Sequence, residues 1–150
     1  MGFAAFIENL SRRFASWRNG PSFDSSKELG DYGENLAARF LRREHGYKVL
    51  VRQWKSDRGE IDLIARDREF LAFIEVKTRT RTEFGLPQDA VNQEKQRRLS
   101  RAALEYLRRL GNPDLTFRFD IVEVQKNAES GAFECRLIQN AFPLSKPYRY

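Results

Sequence analysis

The sequence predicts one α/β domain, a single mixed sheet flanked by helices, with an amphipathic appendage at its N-terminus. Three observations predict it. From Ser25 onward the patterns run helix, three strands, helix, two strands. Both helical stretches carry one apolar stripe at 3.6-residue spacing, as a helix lying on a sheet requires. The 150 residues, 41% of them apolar, suit one core.

Residues 1–24 form an extension and linker, and residues 25–150 the domain. The extension shows a stripe of Phe3, Phe6, Ile7, Leu10, Phe14 and Trp17, flanked by Arg12, Arg13 and Arg18. Asn19-Gly20-Pro21-Ser22 ends the pattern. It lacks a basic leader, and Glu8 interrupts the apolar run, so it does not read as a signal peptide. Such a stripe docks on its own domain, on a protein partner or on a membrane surface. The few basic residues favour protein.

In the domain, Ser26 is placed to cap a helix running to about His45, with Leu29, Gly33, Leu36, Ala37, Phe40 and Leu41 as its stripe. Tyr47 to Trp54 reads as a strand. Glu60 to Ala65 reads as a second, with Ile61, Leu63 and Ala65 on one face, and Phe70 to Thr78 as a third. The short polar connection between the second and third makes them a hairpin. A helix from about Asn92 to Leu110 follows, its stripe built from Leu99, Ala102, Ala103, Tyr106, Leu107 and Leu110. Gly111-Asn112-Pro113 stops it. Thr116 to Val124 and Phe133 to Ile138 complete the sheet.

The hairpin concentrates acid: Glu60, Asp62, and then Glu75-Val76-Lys77. Alternation puts Glu75 and Lys77 on one face. With Asp67-Arg68 as the turn, Asp62 faces Phe73, Glu60 faces Glu75, and Asp62 becomes a diagonal neighbour of Glu75. Crowded carboxylates require protonation, basic partners or a metal ion. Oxygen ligands without His or Cys favour Mg²⁺ or Mn²⁺. Lys77 beside that metal would steady developing charge or orient a water. The plain alternative is a strand-end salt bridge in which Lys77 neutralises Glu75.

Two helical groups bear on the cluster. Glu34 falls 140° around the first helix from Leu29, at the border of the stripe, where it can lean toward the sheet or simply meet solvent. Lys95 and Gln96 lie near the inward face at the start of the second helix, a position that attracts anions.

Taken together, these residues resemble the PD-(D/E)xK phosphodiesterase superfamily, which includes restriction endonucleases and archaeal Holliday junction resolvases. More narrowly, the chain is similar to the YraN family of bacterial proteins. The matching stretches are Gly33-Glu34, Arg58-Gly59-Glu60-Ile61-Asp62-Leu63-Ile64-Ala65 and Phe73-Ile74-Glu75-Val76-Lys77-Thr78-Arg79, with Lys95, Leu99 and Arg118-Phe119-Asp120. Ile61 stands where the superfamily name has Pro. The resemblance implies a restriction-endonuclease-like fold. It also implies catalytic Glu34, Asp62, Glu75 and Lys77, a Mg²⁺ or Mn²⁺ ion on Asp62 and Glu75 with Glu34 in support, and Glu60, Arg58 and Asp120 as further supports.

Charge agrees with a nucleic-acid partner. The balance is 27 basic against 21 acidic residues, and guanidinium groups suit phosphate. Arg79 and Arg81, alternating with threonines just after the cluster, offer phosphate contacts, with Lys95 and Gln96 on the rim. No motif reads base edges, so backbone or shape recognition is expected, of DNA rather than RNA. Three functions remain open: a metal-dependent endonuclease acting on DNA, including branched DNA; a nucleic-acid-binding module that does not cut; and an adaptor working through the N-terminal helix. A homodimer would suit a branched substrate. A single cysteine, Cys135, excludes an intramolecular disulfide and a Cys-rich zinc site, and fits a reducing, cytoplasmic compartment. No apolar run reaches membrane-spanning length.

Overall fold

The computed structural model describes residues 21–80 and 91–150. The N-terminal stripe and Arg81 therefore lie outside the described residues. The elements are α1 (Ser26–Glu44), β1 (Lys48–Ser56), β2 (Gly59–Asp67), β3 (Phe70–Arg79), α2 (Gln93–Arg109), β4 (Thr116–Lys126) and β5 (Phe133–Phe142).

One five-stranded sheet runs in the order β1-β2-β3-β4-β5. Only β3 and β4 pair in parallel, and their connection contains α2. Parallel neighbours need such a crossover because a tight turn cannot return the chain in the same direction. The α/β class and the mixed sheet thus stand as the patterns predict.

The helices cover opposite faces. Ala37, Ala38 and Leu41 of α1 pack with Leu63, Ala65, Ala72, Ile74, Val122 and Val124. Leu99, Ala102, Ala103 and Leu107 of α2 pack with Ile61, Ile64, Phe73, Phe119 and Ile121. Each fully buried Leu, Ile or Phe contributes roughly 1.5–3 kcal/mol, so both faces are needed to hold the sheet.

Close approach explains two glycines. A Cβ on Gly33 would lie 1.8 Å from the Thr78 hydroxyl oxygen, so only glycine lets α1 sit down on β3 here. Gly59, at φ 144°, lies under α2, where an added Cβ would meet the Arg98 carbonyl at 3.2 Å.

Three local expectations change. Ser25, not Ser26, caps α1, its hydroxyl accepting the Glu28 N–H at 3.1 Å. The β2–β3 turn is Arg68-Glu69, closed by the Asp67–Phe70 pair, not Asp67-Arg68. Arg68 takes φ 54°, a conformation that arginine side chains do not advertise. This two-residue slip removes the expected Glu60–Glu75 pairing, and Glu60 instead stands opposite Lys55 of β1. Finally, Ile61 packs under α2 while Leu63 and Ala65 pack under α1, so the three do not share a face. The alternation breaks around Asp62, where the β1–β2 pairing passes over Gln53, itself at φ 50°.

Candidate functional site

That break shapes the site. The β2–β3 ladder ends at Leu63–Ile74. Beyond it the Asp62 carboxylate, rather than a backbone carbonyl, accepts the Val76 N–H at 2.8 Å. Asp62 is thereby fixed level with the Glu75–Val76 peptide, at the point where the two strands part.

On β3, Phe73 faces α2 and Ile74 faces α1, so Glu75 is carried toward α2. It is buried, with its side chain 5% exposed. One carboxylate oxygen, Oε1, meets Lys77 Nζ at 3.1 Å and Lys95 Nζ at 3.4 Å. Lys95 is delivered from the first turn of α2, whose cap Asn92 accepts the Lys95 N–H at 2.9 Å. The other oxygen, Oε2, is buried without a hydrogen-bond partner among the described residues. A buried carboxylate oxygen with no donor is costly, so Glu75 keeps unused acceptor capacity here.

The Asp62 carboxyl is pushed up to about 7. Burial is the largest cause, followed by repulsion from Glu75 and, more weakly, from Glu34. The Val76 N–H and Lys95 pull the other way without offsetting it. Asp62, Glu75, Glu34 and Lys95 are thus near enough to act on one charge.

Glu34 is half-buried on α1 and accepts a 2.9 Å hydrogen bond from the Gln53 amide. The same amide nitrogen also reaches Asp31 at 3.3 Å. Glu34, Gln53, Glu60 and Asp62 line a cleft of about 280 Å³ on the α1 side. Glu60 is exposed there and bridges to Lys55 at 3.7 Å. The cluster therefore straddles the parted strand ends, with Glu34 on one side and Glu75, Lys77 and Lys95 on the other.

The remaining sequence candidates divide. Arg79 ends β3 two residues past Lys77, on the same face by alternation, opposite Gln125. The Gln96 amide turns back onto the Val91 carbonyl at 3.0 Å, bracing the start of α2. Arg58 is exposed in the β1–β2 turn. Asp120 is not brought to the cluster. It is fully buried and accepts from Tyr47 Oη at 3.0 Å, from Arg118 Nε at 2.9 Å and from the Asn140 N–H at 2.9 Å. Arg118 also reaches Asp67 at 2.7 Å. This is a satisfied structural network, because every buried charge in it has a partner.

Two residues escape the sequence reading. Gln53 holds Glu34 in place only because the irregular backbone at φ 50° aims it there, and no sequence signal marks that. Glu123, nearly buried on β4, stands beside Lys77 in the parallel register and accepts from Arg136 Nε at 2.9 Å. Its place in an otherwise apolar run was the available signal.

The donor chemistry fits a hard divalent cation. The carboxylates are all oxygen donors, one oxygen of Glu75 is unpartnered, and the Asp62–Glu75 repulsion is what a cation relieves. As the side chains stand, no three carboxylate, imidazole or thiol groups among the described residues close to metal-holding geometry. The fit is therefore to a two-carboxylate centre, Asp62 with Glu75, and Lys77 and Lys95 balance Glu75 in its place.

Comparison with known proteins locates the site within a family. A family model described as "Uncharacterised protein family UPF0102" matches residues 33–124. The chain belongs to the UPF0102 family. The similarity to the YraN family read from the motifs is this membership. A UPF0102 protein of Symbiobacterium thermophilum is 49% identical over 117 residues, 78% of this chain and 98% of its own. Others from Caldicellulosiruptor saccharolyticus and Geobacter metallireducens are 39% and 42% identical, each aligned over 79–80% of this chain and 96–99% of their own. The UPF0102 match contains Glu34, Asp62, Glu75, Lys77 and Lys95. Among the described residues of this member, no helix is long and apolar enough to cross a membrane.

Proposed function

We propose that this UPF0102 protein is a divalent-metal-dependent endonuclease that hydrolyses phosphodiester bonds in DNA, branched DNA included. The observation that carries the reading is the Asp62–Glu75 pair at the parted strand ends, with one unpartnered buried oxygen and Lys77 at 3.1 Å. A purely structural ion pair has no reason to leave that oxygen unmatched or to hold a second carboxylate beside it.

Asp62 and Glu75 would hold Mg²⁺ or Mn²⁺, with Glu34 in support. Such an ion supplies Lewis acidity and a more acidic bound water. The protein's own groups do the rest. Lys77 lies on the solvent side of Glu75, its side chain 33% exposed. From there its ammonium orients the attacking water or steadies the phosphorane's negative charge. Lys95 anchors Glu75 and presents a second cation to the phosphate. Arg79 extends the basic edge along the backbone of the nucleic acid, with Arg81 following it in sequence. The Val76 N–H fixes the Asp62 carboxylate so that one oxygen remains for the ion.

The test is cleavage of linear and branched DNA and of RNA with Mn²⁺, Mg²⁺ or chelator, using wild type, Glu75→Gln and Lys77→Met prepared in parallel. Metal-dependent cleavage lost in both variants supports the reading. Tight binding without cleavage under any metal leaves a nucleic-acid-binding module in its place.

A further inference from the structure

Away from the candidate site, an open groove of about 800 Å³ runs between α1 and β5. Leu36 and Phe40 of α1 line one side, Phe133 and Cys135 of β5 the other, and His45 lies past the end of α1. The rim carries both signs of charge, Arg39 and Arg43 with Glu44 and Glu134. At the opposite end, Phe133 stacks edge-on to Tyr32 at 5.3 Å and to Phe23 at 6.1 Å, and Phe23 meets Tyr32 at 5.1 Å. The aromatic trio therefore pins the chain, just after residue 22, at the mouth of the groove.

What precedes that point is the stripe of Phe3, Phe6, Ile7, Leu10, Phe14 and Trp17. We propose that this N-terminal segment docks as a helix in the α1/β5 groove of its own domain, antiparallel to α1. The lengths agree. Fifteen residues, 3–17, span about 22 Å as a helix, and Tyr32 to Glu44 along α1 spans about 18 Å. The connection from Arg18 to Asp24 is within the two to eight residues that join antiparallel helices, and Gly20-Pro21 supplies its turn. The segment's flanking charges, Glu8 with Arg12 and Arg13, are of both signs like the rim, which suits this groove better than an anionic membrane surface.

The chain's one cysteine lines this groove, so it reports on the occupant. Burial pushes the Cys135 thiol up to about 11, which slows its labelling. In the full-length protein, Cys135 should react with a small maleimide on the order of tenfold more slowly in wild type than in Phe6→Asp/Leu10→Asp, at any protein concentration. Unchanged amide chemical shifts for the residues of the two core clusters show that the domain is intact. A nitroxide on Arg39→Cys, in a Cys135→Ser background, should broaden amide signals of residues 6–14 within its own molecule. Equal labelling rates in the two proteins would overturn the proposal. So would protection that vanishes on dilution, or broadening in a mixture of isotope-labelled and spin-labelled chains, because either makes the occupant a second copy. Protection that requires anionic vesicles would make it a membrane contact.

Discussion

Replacing Asp62 with Asn should make the metal-free protein more stable, not less, and only at neutral and alkaline pH. The Asp62 carboxyl lies near 7 in the fold against 3.8 in the unfolded chain, chiefly through burial and then through Glu75. A folded value above the unfolded one means that the native state keeps a proton which the unfolded chain releases. The stability tied to that proton is full below about pH 4 and is lost as pH rises through 7. Roughly three pH units at 1.36 kcal/mol each put the loss near 4 kcal/mol at most. Asparagine keeps an oxygen for the Val76 N–H, now at 2.8 Å, and removes the repulsion from Glu75. It also gives up the attraction to Lys95. A net gain of about 1–3 kcal/mol at pH 8, shrinking toward pH 5, is therefore expected. Urea unfolding in chelator at pH 5, 6, 7 and 8 measures it. Identical pH dependence in the two proteins, or a less stable variant at pH 8, would refute the reasoning. Adding Mn²⁺ should then stabilise wild type and not the variant, by mass action.

Three further outcomes are expected. Gly33→Ala should destabilise by about 1–3 kcal/mol despite alanine's better helix propensity, because its Cβ meets the Thr78 hydroxyl at 1.8 Å, and Thr78→Ala should recover part of the loss in thermal unfolding. Arg118→Met should cost about 3–5 kcal/mol in urea by leaving the fully buried Asp120 charge uncompensated, while Mn²⁺ binding is unchanged. Arg79→Ala with Arg81→Ala should weaken DNA binding and lower its salt slope by up to about two counterions in a fluorescence titration, with metal affinity unaffected.

The sequence showed what local periodicity controls. The stripes of α1 and α2 and the alternation of β3 name the two faces, and the 140° position of Glu34 correctly leaves it half-buried beside the cluster. What it hid depends on backbone choices with no residue signature. The turn could fall at Asp67-Arg68 or Arg68-Glu69, because neither pair contains the glycine or asparagine that announces a positive φ. The slip of two kept parity, so Asp62 still arrived beside Glu75, but Glu60 did not. The break near Asp62 moved Ile61 to the other face. The Tyr47–Asp120 bond joins residues 73 positions apart, and nothing in a window around either one points to the other. Asp120 consequently read as a site residue, though it is a buried brace.

The central claim is that Asp62 and Glu75 form a metal centre, and calorimetry of Mn²⁺ binding in buffers of different ionisation enthalpy tests it most directly. The ion must displace the proton that Asp62 holds near pH 7, so wild type should release roughly one proton per ion at pH 6 and little at pH 8, with affinity rising between them. Asp62→Asn should abolish both the binding and the proton release. Undetectable Mn²⁺ binding by wild type, or the same affinity and proton release in Asp62→Asn, would contradict it.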